Sequence, residues 1–373
     1  MSRAHFLQPH QIKTMGDPRL ACATFNLRRS DADEGTPHAW EKRLPAAAAF
    51  FARHRPAFVG VQEGLHEQLA ELLASPALGG RYACVGQGRE GGEAGEYSAI
   101  LYDREQLELA VPAAGEAASE GTQWLSPEPG VPGSVGWGAM CPRVVTWARF
   151  STRQRAAAPG ATTFTACNTH LDHASPEARL QGSLAISRLL ERVAAPGEPV
   201  LLVGDFNCTA ASAAYRWWAG EGGMRDAFVE AGSVHSNGAR GTFHAFKGLR
   251  ASTQVRWRCA LDAFFACSSM GAHRRRGALC CGGCCSSCCW LRPTTGTSHN
   301  LDWILFRGGS SRQAGGASVL TPLGCTIDVT SSADGTTFPS DHFPVVAEFE
   351  LARAGPRVKQ PAPSSSRDVV VRQ

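Results

Sequence analysis

Short apolar runs and longer stretches of helical periodicity alternate along most of the chain. Mainly apolar runs of four to eight residues predict buried strands, at 20–25, 58–61, 97–102, 107–110, 144–150, 162–168, 200–203, 301–306 and 344–351. Apolar residues at three- and four-residue spacing predict helices at 38–54, 65–73, 176–193 and 212–219. This alternation of strand and helix predicts an α/β protein. The strands 97–102 and 107–110 are expected to be neighbours.

Three segments depart from this pattern. Residues 1–18 and 355–373 lack periodic apolar positions, which predicts a disordered leader and a disordered tail around one domain at 19–354. Residues 248–298 are rich in arginine and contain six cysteines within ten residues, 280–289. Adjacent cysteines rarely turn toward one ion, so the run is weak support for a metal site and predicts a low-complexity insert.

Composition narrows the class of protein. A hydrophobic fraction of 43% supplies a core, and the net charge of +4 is too small to indicate a nucleic-acid partner by itself. No apolar run approaches the ~20 residues of a membrane span. Eight of the 14 cysteines are scattered singly, which favours free thiols in a reducing compartment. We therefore expect a cytoplasmic monomer without membrane contact.

Polar residues stand where six of the predicted strands end. They are Asn26, Glu63, His170, Asp205 with Asn207, Asp302, and Asp341 with His342. Such positions converge at one edge of an α/β sheet, so these side chains are expected to share a cleft. A glutamate such as Glu63 suits Mg²⁺, which needs only one or two protein carboxylates. Asp205 or His342 can deprotonate a water, and Asn207 and His170 can stabilise charge on a phosphoryl group.

The motifs around these residues resemble those of the endonuclease/exonuclease/phosphatase superfamily. The matching motifs occur in the family's order and are Thr24-Phe25-Asn26, Val61-Gln62-Glu63, Asn168-Thr169-His170, Gly204-Asp205-Phe206-Asn207, Leu301-Asp302-Trp303-Ile304 and Ser340-Asp341-His342. The resemblance implies a deoxyribonuclease I-like fold, which is a four-layered sandwich of two packed mixed β-sheets flanked by helices. It also implies hydrolysis of a phosphate ester with Mg²⁺, for which Mn²⁺ can substitute.

The resemblance further implies a role for each residue. Glu63 is expected to bind the metal, with Asn26 beside it and Asp341 as a second nearby acid. Asp205 is expected to activate the water and Asn207 to hold the phosphate. Two acid–histidine pairs are expected, Asp302 with His342 and Glu96 with His170. His170 would also contact the substrate, and Arg143 would bind either a substrate phosphate or an internal acid.

The substrate is left open by the sequence. The first hypothesis is a nucleic-acid phosphodiesterase acting on RNA or DNA, such as a 3′–5′ exoribonuclease. The alternative is a phosphomonoesterase or phosphodiesterase acting on a sugar phosphate, an inositol phosphate or a nucleotide. This alternative is kept because the ordered region has no obvious basic stripe interleaved with aromatic residues. A non-catalytic binding module is the third hypothesis.

Overall fold

The fold is described here from a computed structural model, which covers most of the predicted domain. It describes residues 19–153, 162–231, 234–235, 237–239, 241–250, 300–308, 318–332 and 335–353. The predicted leader, the predicted tail and all but three residues of the predicted insert lie outside the described residues, so the domain boundaries stay predictions. No helix in the described part of the chain is both long enough and apolar enough to cross a membrane.

The first sheet mixes parallel and antiparallel strands. Its described strands, numbered in chain order and given in spatial order, are β11 (Val234–His235), β13 (Ser318–Ile327), β14 (Val345–Arg353), β1 (Arg19–Asn26), β2 (Phe58–Gly64), β4 (Tyr97–Asp103) and β3 (Tyr82–Val85). Strands β1 and β2 are parallel, whereas β1 and β14 are antiparallel. The N-terminal and C-terminal parts of the domain therefore meet at the centre of this sheet.

The second sheet is mixed as well. Its described strands, in spatial order, are β10 (Arg225–Asp226), β12 (Asp302–Arg307), β9 (Val200–Asp205), β8 (Thr163–His170), β7 (Val144–Thr152) and β5 (Leu107–Leu109), and β6 (Glu120–Trp124) also pairs with β7. Strands β8 and β9 are parallel, and β9 and β12 are antiparallel.

Helices pack against both sheets. Their bounds are α1 (Trp40–His54), α2 (His66–Ala74), α3 (Pro176–Val193), α4 (Ala213–Ala219) and α5 (Ala227–Glu230), with 3₁₀ turns at Ser30–Asp33 and Gly248–Arg250. Four of the five described helices, α1 to α4, cover the outer faces of the sheets, whereas α5 packs in the apolar cluster between them. One apolar cluster joins α1 and α2 to the first sheet, and another joins α3 and α4 to the second. The largest cluster lies between the two sheets. The predicted four-layered sandwich is confirmed.

A buried polar contact links the two sheets near one rim. The side-chain amide of Asn168, on β8, donates to the main-chain oxygens of Val61 and Ala99 at 2.8 and 2.7 Å. Its oxygen accepts from Gln62 Nε2 at 2.6 Å. A Cβ at Gly60 would lie 2.7 Å from the Asn168 side chain, so only glycine permits this close approach. The contact fixes the spacing of the sheets where their strand ends meet.

One sequence prediction about strands was wrong, and some strands were missed. Strands β4 and β5 belong to different sheets and are not neighbours, because the turn that begins at Asp103 carries the chain across the sandwich. The ten-residue strand β13 was not predicted at all. Pro322 and Gly324 interrupt its apolar pattern, and the register with β14 shifts between them. A bulge of this kind accommodates residues that are otherwise rare in strands.

Replacing Gly60 with alanine should destabilise the protein by roughly 1–3 kcal/mol, because the added methyl group overpacks a rigid contact between the sheets. The measurement is the free energy of unfolding in urea. Gly130→Ala is the matched control, since a Cβ at Gly130 meets no atom within 4 Å. Equal stabilities of the two variants would contradict the proposed constraint at Gly60.

Candidate active site

The second sheet presents three of the predicted site residues in a row. His170 ends β8 and pairs in register with Asp205, which ends β9. Asp205 in turn pairs with Asp302, the first residue of β12. Because directly paired residues project to the same side of a sheet, their side chains converge.

The first sheet supplies the facing residues. Asn26 ends β1 and is in register with Gln62, so Glu63 follows immediately at the same edge. Asp341 and His342 lie just before β14, the antiparallel neighbour of β1. The predicted strand-end residues therefore meet at one rim of the sandwich.

Asp205 lies at the centre of this group. Its Oδ2 accepts a hydrogen bond from Asn26 Nδ2 at 3.0 Å and lies 3.6 Å from His170 Nε2 and 3.8 Å from His342 Nε2. Its Oδ1 accepts from the Asn207 main-chain N–H at 2.8 Å. Asn26 Nδ2 also donates to Glu63 Oε1 at 2.9 Å. One amide thus bridges acids from the two sheets.

The Asp302–His342 pair is present and buried. His342 Nδ1 donates to Asp302 Oδ2 at 2.9 Å, which leaves Nε2 directed toward Asp205. Burial alone would lower the pKa of His342, but the carboxylates of Asp302, Asp205 and Asp341 outweigh it and raise the pKa to about 10. These carboxylates therefore favour the protonated, cationic form of His342 near neutral pH.

His170 is held by an amide. Asn207 Nδ2 lies 2.8 Å from His170 Nε2 and 3.0 Å from the main-chain oxygen of Leu171. Because an amide nitrogen only donates, Nε2 of His170 is the acceptor and its proton is on Nδ1. Asn207 was predicted to hold a phosphate, and in this arrangement its amide group orients the histidine.

Glu96 is engaged by arginines. Its two carboxylate oxygens lie 3.3 Å from Arg29 Nη1 and 2.6 Å from Arg89 Nη1. Burial and the neighbouring charge of Glu63 raise the pKa of Glu96, and nearby arginines oppose the shift. The expected pairing of Glu96 with His170 stays a prediction, since the hydrogen bonds that hold Glu96 come from Arg29 and Arg89.

Arg143 has internal partners. Its side chain is only 6% exposed, its Nε lies 3.5 Å from Asp172 Oδ2, and its Nη2 lies 2.9 Å from His173 Nδ1. The internal ion pair, one of the two alternatives from the sequence, is therefore present. A contact between Arg143 and substrate stays a prediction.

Two site residues adopt a left-handed backbone conformation. Glu63 has φ 61° and lies at the register shift of β2 between Gln62 and Gly64, and Asn207 has φ 47° just after β9. A bulge redirects the side chain that it carries, here the Glu63 carboxylate into the cleft. Strain of this kind persists where the surrounding structure enforces it and is frequent at functional sites.

The donor groups fit a divalent cation. Glu63, His170 and Asp205 each offer a ligand atom, and these atoms lie within 4.8 Å of one another. Two carboxylates with room for water match the preference of Mg²⁺. Asn26 turns its oxygen to the main-chain N–H of Arg28, and Asp341 Oδ2 lies 3.6 Å from Arg28 Nη1. The metal roles of Asn26 and Asp341 therefore stay predictions.

The sequence analysis missed the segment that covers His342. Phe243 forms an isolated bridge with His342, and their rings lie 5.0 Å apart. Thr242 Oγ1 accepts from the main-chain N–H groups of Leu301 and Asp302, at 3.0 and 3.2 Å. Thr242 therefore holds Asp302, and the bridge from Phe243 holds His342. Residues 242–243 show no apolar periodicity and lie next to the predicted insert, so the sequence did not indicate a role for them.

Fold and site together define a hydrolase of phosphate esters. The chain belongs to the Endonuclease/Exonuclease/phosphatase family, whose model matches residues 23–342. Members of this family are phosphoesterases and nucleases, and they generally depend on a divalent metal. None of the curated protein sequences matches the chain.

Solved structures show the same architecture. A family member from Bacteroides vulgatus is 27% identical with a TM-score of 0.65, over 90% of this chain and 99% of that one. A mannosyl-6-phosphatase of Bacteroides thetaiotaomicron is 23% identical with a TM-score of 0.63, over 89% and 99%. TDP2 of D. rerio, complexed with a single-strand DNA product, is 13% identical with a TM-score of 0.54, over 89% and 99%.

If Asp302 acts only through His342, the effects of removing the two should not multiply. His342→Ala should reduce kcat by ~10²–10⁴-fold, the range typical of a positioned acid–base group. The double variant His342→Ala/Asp302→Ala should then have nearly the same kcat as His342→Ala alone. Circular dichroism checks that each variant is folded. Multiplicative losses would show that Asp302 has a role independent of His342.

Proposed function

We propose that this protein is a Mg²⁺-dependent phosphoesterase that hydrolyses small phosphate monoesters by attack of an activated water. The observation that carries the proposal is the position of the Asp205 carboxylate. Its Oδ2 is within 4 Å of Asn26, His170 and His342, and Glu63 shares the Asn26 amide with it. A buried carboxylate that faces two histidines and a metal-binding acid is suited to hydrolytic chemistry.

Each residue would have one task. Asp205 Oδ2 would accept the proton of the attacking water. His342, held as a cation by Asp302, would place its Nε2–H against the charge that develops on the phosphoryl oxygens. Asn207 would keep His170 in the tautomer that is protonated on Nδ1, because its amide donates to Nε2. Together these groups orient the water and neutralise the transition state.

Glu63 would hold the metal, with the carboxylate of Asp205 nearest to it. When bound, Mg²⁺ would supply positive charge that polarises the phosphoryl group. The Glu63 carboxylate is half-buried, and its bulge directs it into the cleft, so it is the residue best placed to recruit the cation.

The distribution of aromatic side chains favours a small substrate over a nucleic acid. Proteins that bind single strands stack successive bases on exposed aromatic rings and follow the backbone with a basic groove. Every tryptophan, tyrosine and phenylalanine in the described part of the chain is buried or half-buried. The arginines beside the site, Arg28, Arg29, Arg89 and Arg143, are all paired with acids. This reverses the order of the two substrate hypotheses drawn from the sequence.

Removing the metal-binding acid should raise the metal requirement. Glu63→Gln should need a much higher Mg²⁺ concentration for half-maximal rate, because a neutral amide is a weaker ligand for a hard cation. The measurement is the initial rate as a function of Mg²⁺ or Mn²⁺ concentration. Glu67→Gln, the same change at an exposed position on α2, is the control and should behave like the parent. Full activity after exhaustive chelation would refute metal dependence.

A panel of substrates tests the substrate class. Phosphate monoesters, including a hexose 6-phosphate and p-nitrophenyl phosphate, should be hydrolysed with higher kcat/KM than bis(p-nitrophenyl) phosphate, RNA or single-stranded DNA. The hexose phosphate is included because one structure of the same architecture is a mannosyl-6-phosphatase. Preferred cleavage of RNA or DNA, with a rate that falls steeply with salt, would favour the nucleic-acid hypothesis instead.

A further inference from the structure

Arg43 is a buried arginine near the start of α1. Its relative exposure is 0%, although the neighbouring Lys42 and Glu41 face solvent. Arginine is almost never fully buried unless its charge and its donors are satisfied. The hydrogen-bond partners of Arg43 therefore indicate why this side chain is buried.

All five N–H groups of the Arg43 guanidinium have acceptors, and the five acceptors are main-chain carbonyls. The acceptor oxygens belong to His38 (2.6 Å), Leu27 (2.7 Å), Pro339 (3.0 Å), Arg28 (3.1 Å) and Arg29 (3.4 Å). The guanidinium lies 5.2 Å from the ring of Trp40 and 5.8 Å from that of Phe246. Burial lowers the pKa of Arg43 to about 10, so the group remains charged near neutral pH.

Four of the five carbonyls bound by Arg43 lie in two segments that adjoin site residues. Leu27, Arg28 and Arg29 follow Asn26 directly along the chain, and Pro339 precedes Ser340-Asp341-His342. The hydrogen bond to Pro339 spans 296 positions in sequence. One guanidinium thus joins the segment that carries Asn26 to the segment that carries Asp341 and His342.

The β-ladder cannot make this connection. The last paired residues of β1 and β14 are Thr24 and Val345, so Asn26 and His342 both lie beyond the end of the ladder. Past that point no further β1–β14 pair joins the two segments. Arg43 joins the two segments with five donors in a rigid plane, a geometry that the single nitrogen of lysine cannot reproduce.

We propose that Arg43 is a positioning residue that sets the distance between Asn26 and the Asp341–His342 segment. It touches neither substrate nor the reacting atoms. The kinetic part of this inference rests on the proposed phosphoesterase function, whereas the structural part does not.

Arg43→Lys and Arg43→Ala test the proposal. Arg43→Lys keeps the positive charge but loses the planar guanidinium with its five donors. The catalytic groups should then be displaced, so kcat should fall by up to ~10²-fold while KM stays nearly unchanged. In Arg43→Ala, added guanidinium chloride, far below denaturing concentrations, should restore kcat in a saturable manner. Arg53→Ala is the matched control, because Arg53 lies on the same helix and pairs with Asp328 instead. It should show neither the loss nor the response to guanidinium.

Amide hydrogen exchange supplies a readout that does not depend on activity. In Arg43→Lys, exchange should accelerate at residues 27–30 and 339–343 and stay unchanged in β8 and β9. Unchanged exchange in those two segments overturns the proposal, as does faster exchange with full kcat. If Arg43→Ala does not fold, the comparison of Arg43→Lys with the parent decides. If the parent hydrolyses no phosphate ester, the proposed function fails and exchange alone decides the role of Arg43.

Discussion

The contact between the two sheets at Asn168 is the constraint on which the active site depends. Asn168 belongs to the second sheet and binds main-chain groups of β2 and β4 in the first. His170 lies two residues further along β8, on the same side, and Glu63 directly follows Gln62, the partner of the Asn168 oxygen. The spacing of the sheets at this contact therefore sets the distance between the acid–histidine groups of one sheet and the metal-binding acid of the other.

That spacing brings like charges together. Glu63, Asp205, Asp302 and Asp341 surround one cleft, and carboxylates this close destabilise one another in the folded protein. The Asn26 amide relieves part of this repulsion by donating to Glu63 and Asp205 at once. A site that concentrates acids and strained backbone gives up stability, as catalytic sites commonly do. The same concentration of negative charge is what attracts a divalent cation.

The sequence pattern predicted an α/β protein and the convergence of the site, because both follow from local features, whereas the four-layered sandwich was implied by the family resemblance. Strand ends are marked by the change from apolar to polar residues, and parallel strands bring such ends to one edge. The hydrogen-bond partners of the site side chains could not be predicted in this way, because they depend on the local direction of the backbone. The bulge at Glu63 arises where β2 pairs with β4, and the contact between Arg29 and Glu96 joins positions 67 residues apart. Arg43 left no signal, since an arginine on an amphipathic helix normally faces water.

The site lies where strand ladders end, and this explains the kind of side chain that supports it. Beyond the last ladder pair, main-chain groups still need partners, and loops cannot supply them all. Arg43 and Gln68 take over this task, with Gln68 binding the carbonyl of Arg28 and the N–H groups of Ser30 and Leu65. Asn168 acts just inside the β2–β4 ladder, where it binds the carbonyls of the paired residues Val61 and Ala99. Each has several donors or acceptors on a planar group, so each fixes more than one strand or loop. The catalytic side chains can therefore lie on irregular backbone, as Glu63 and Asn207 do, and still be held rigidly.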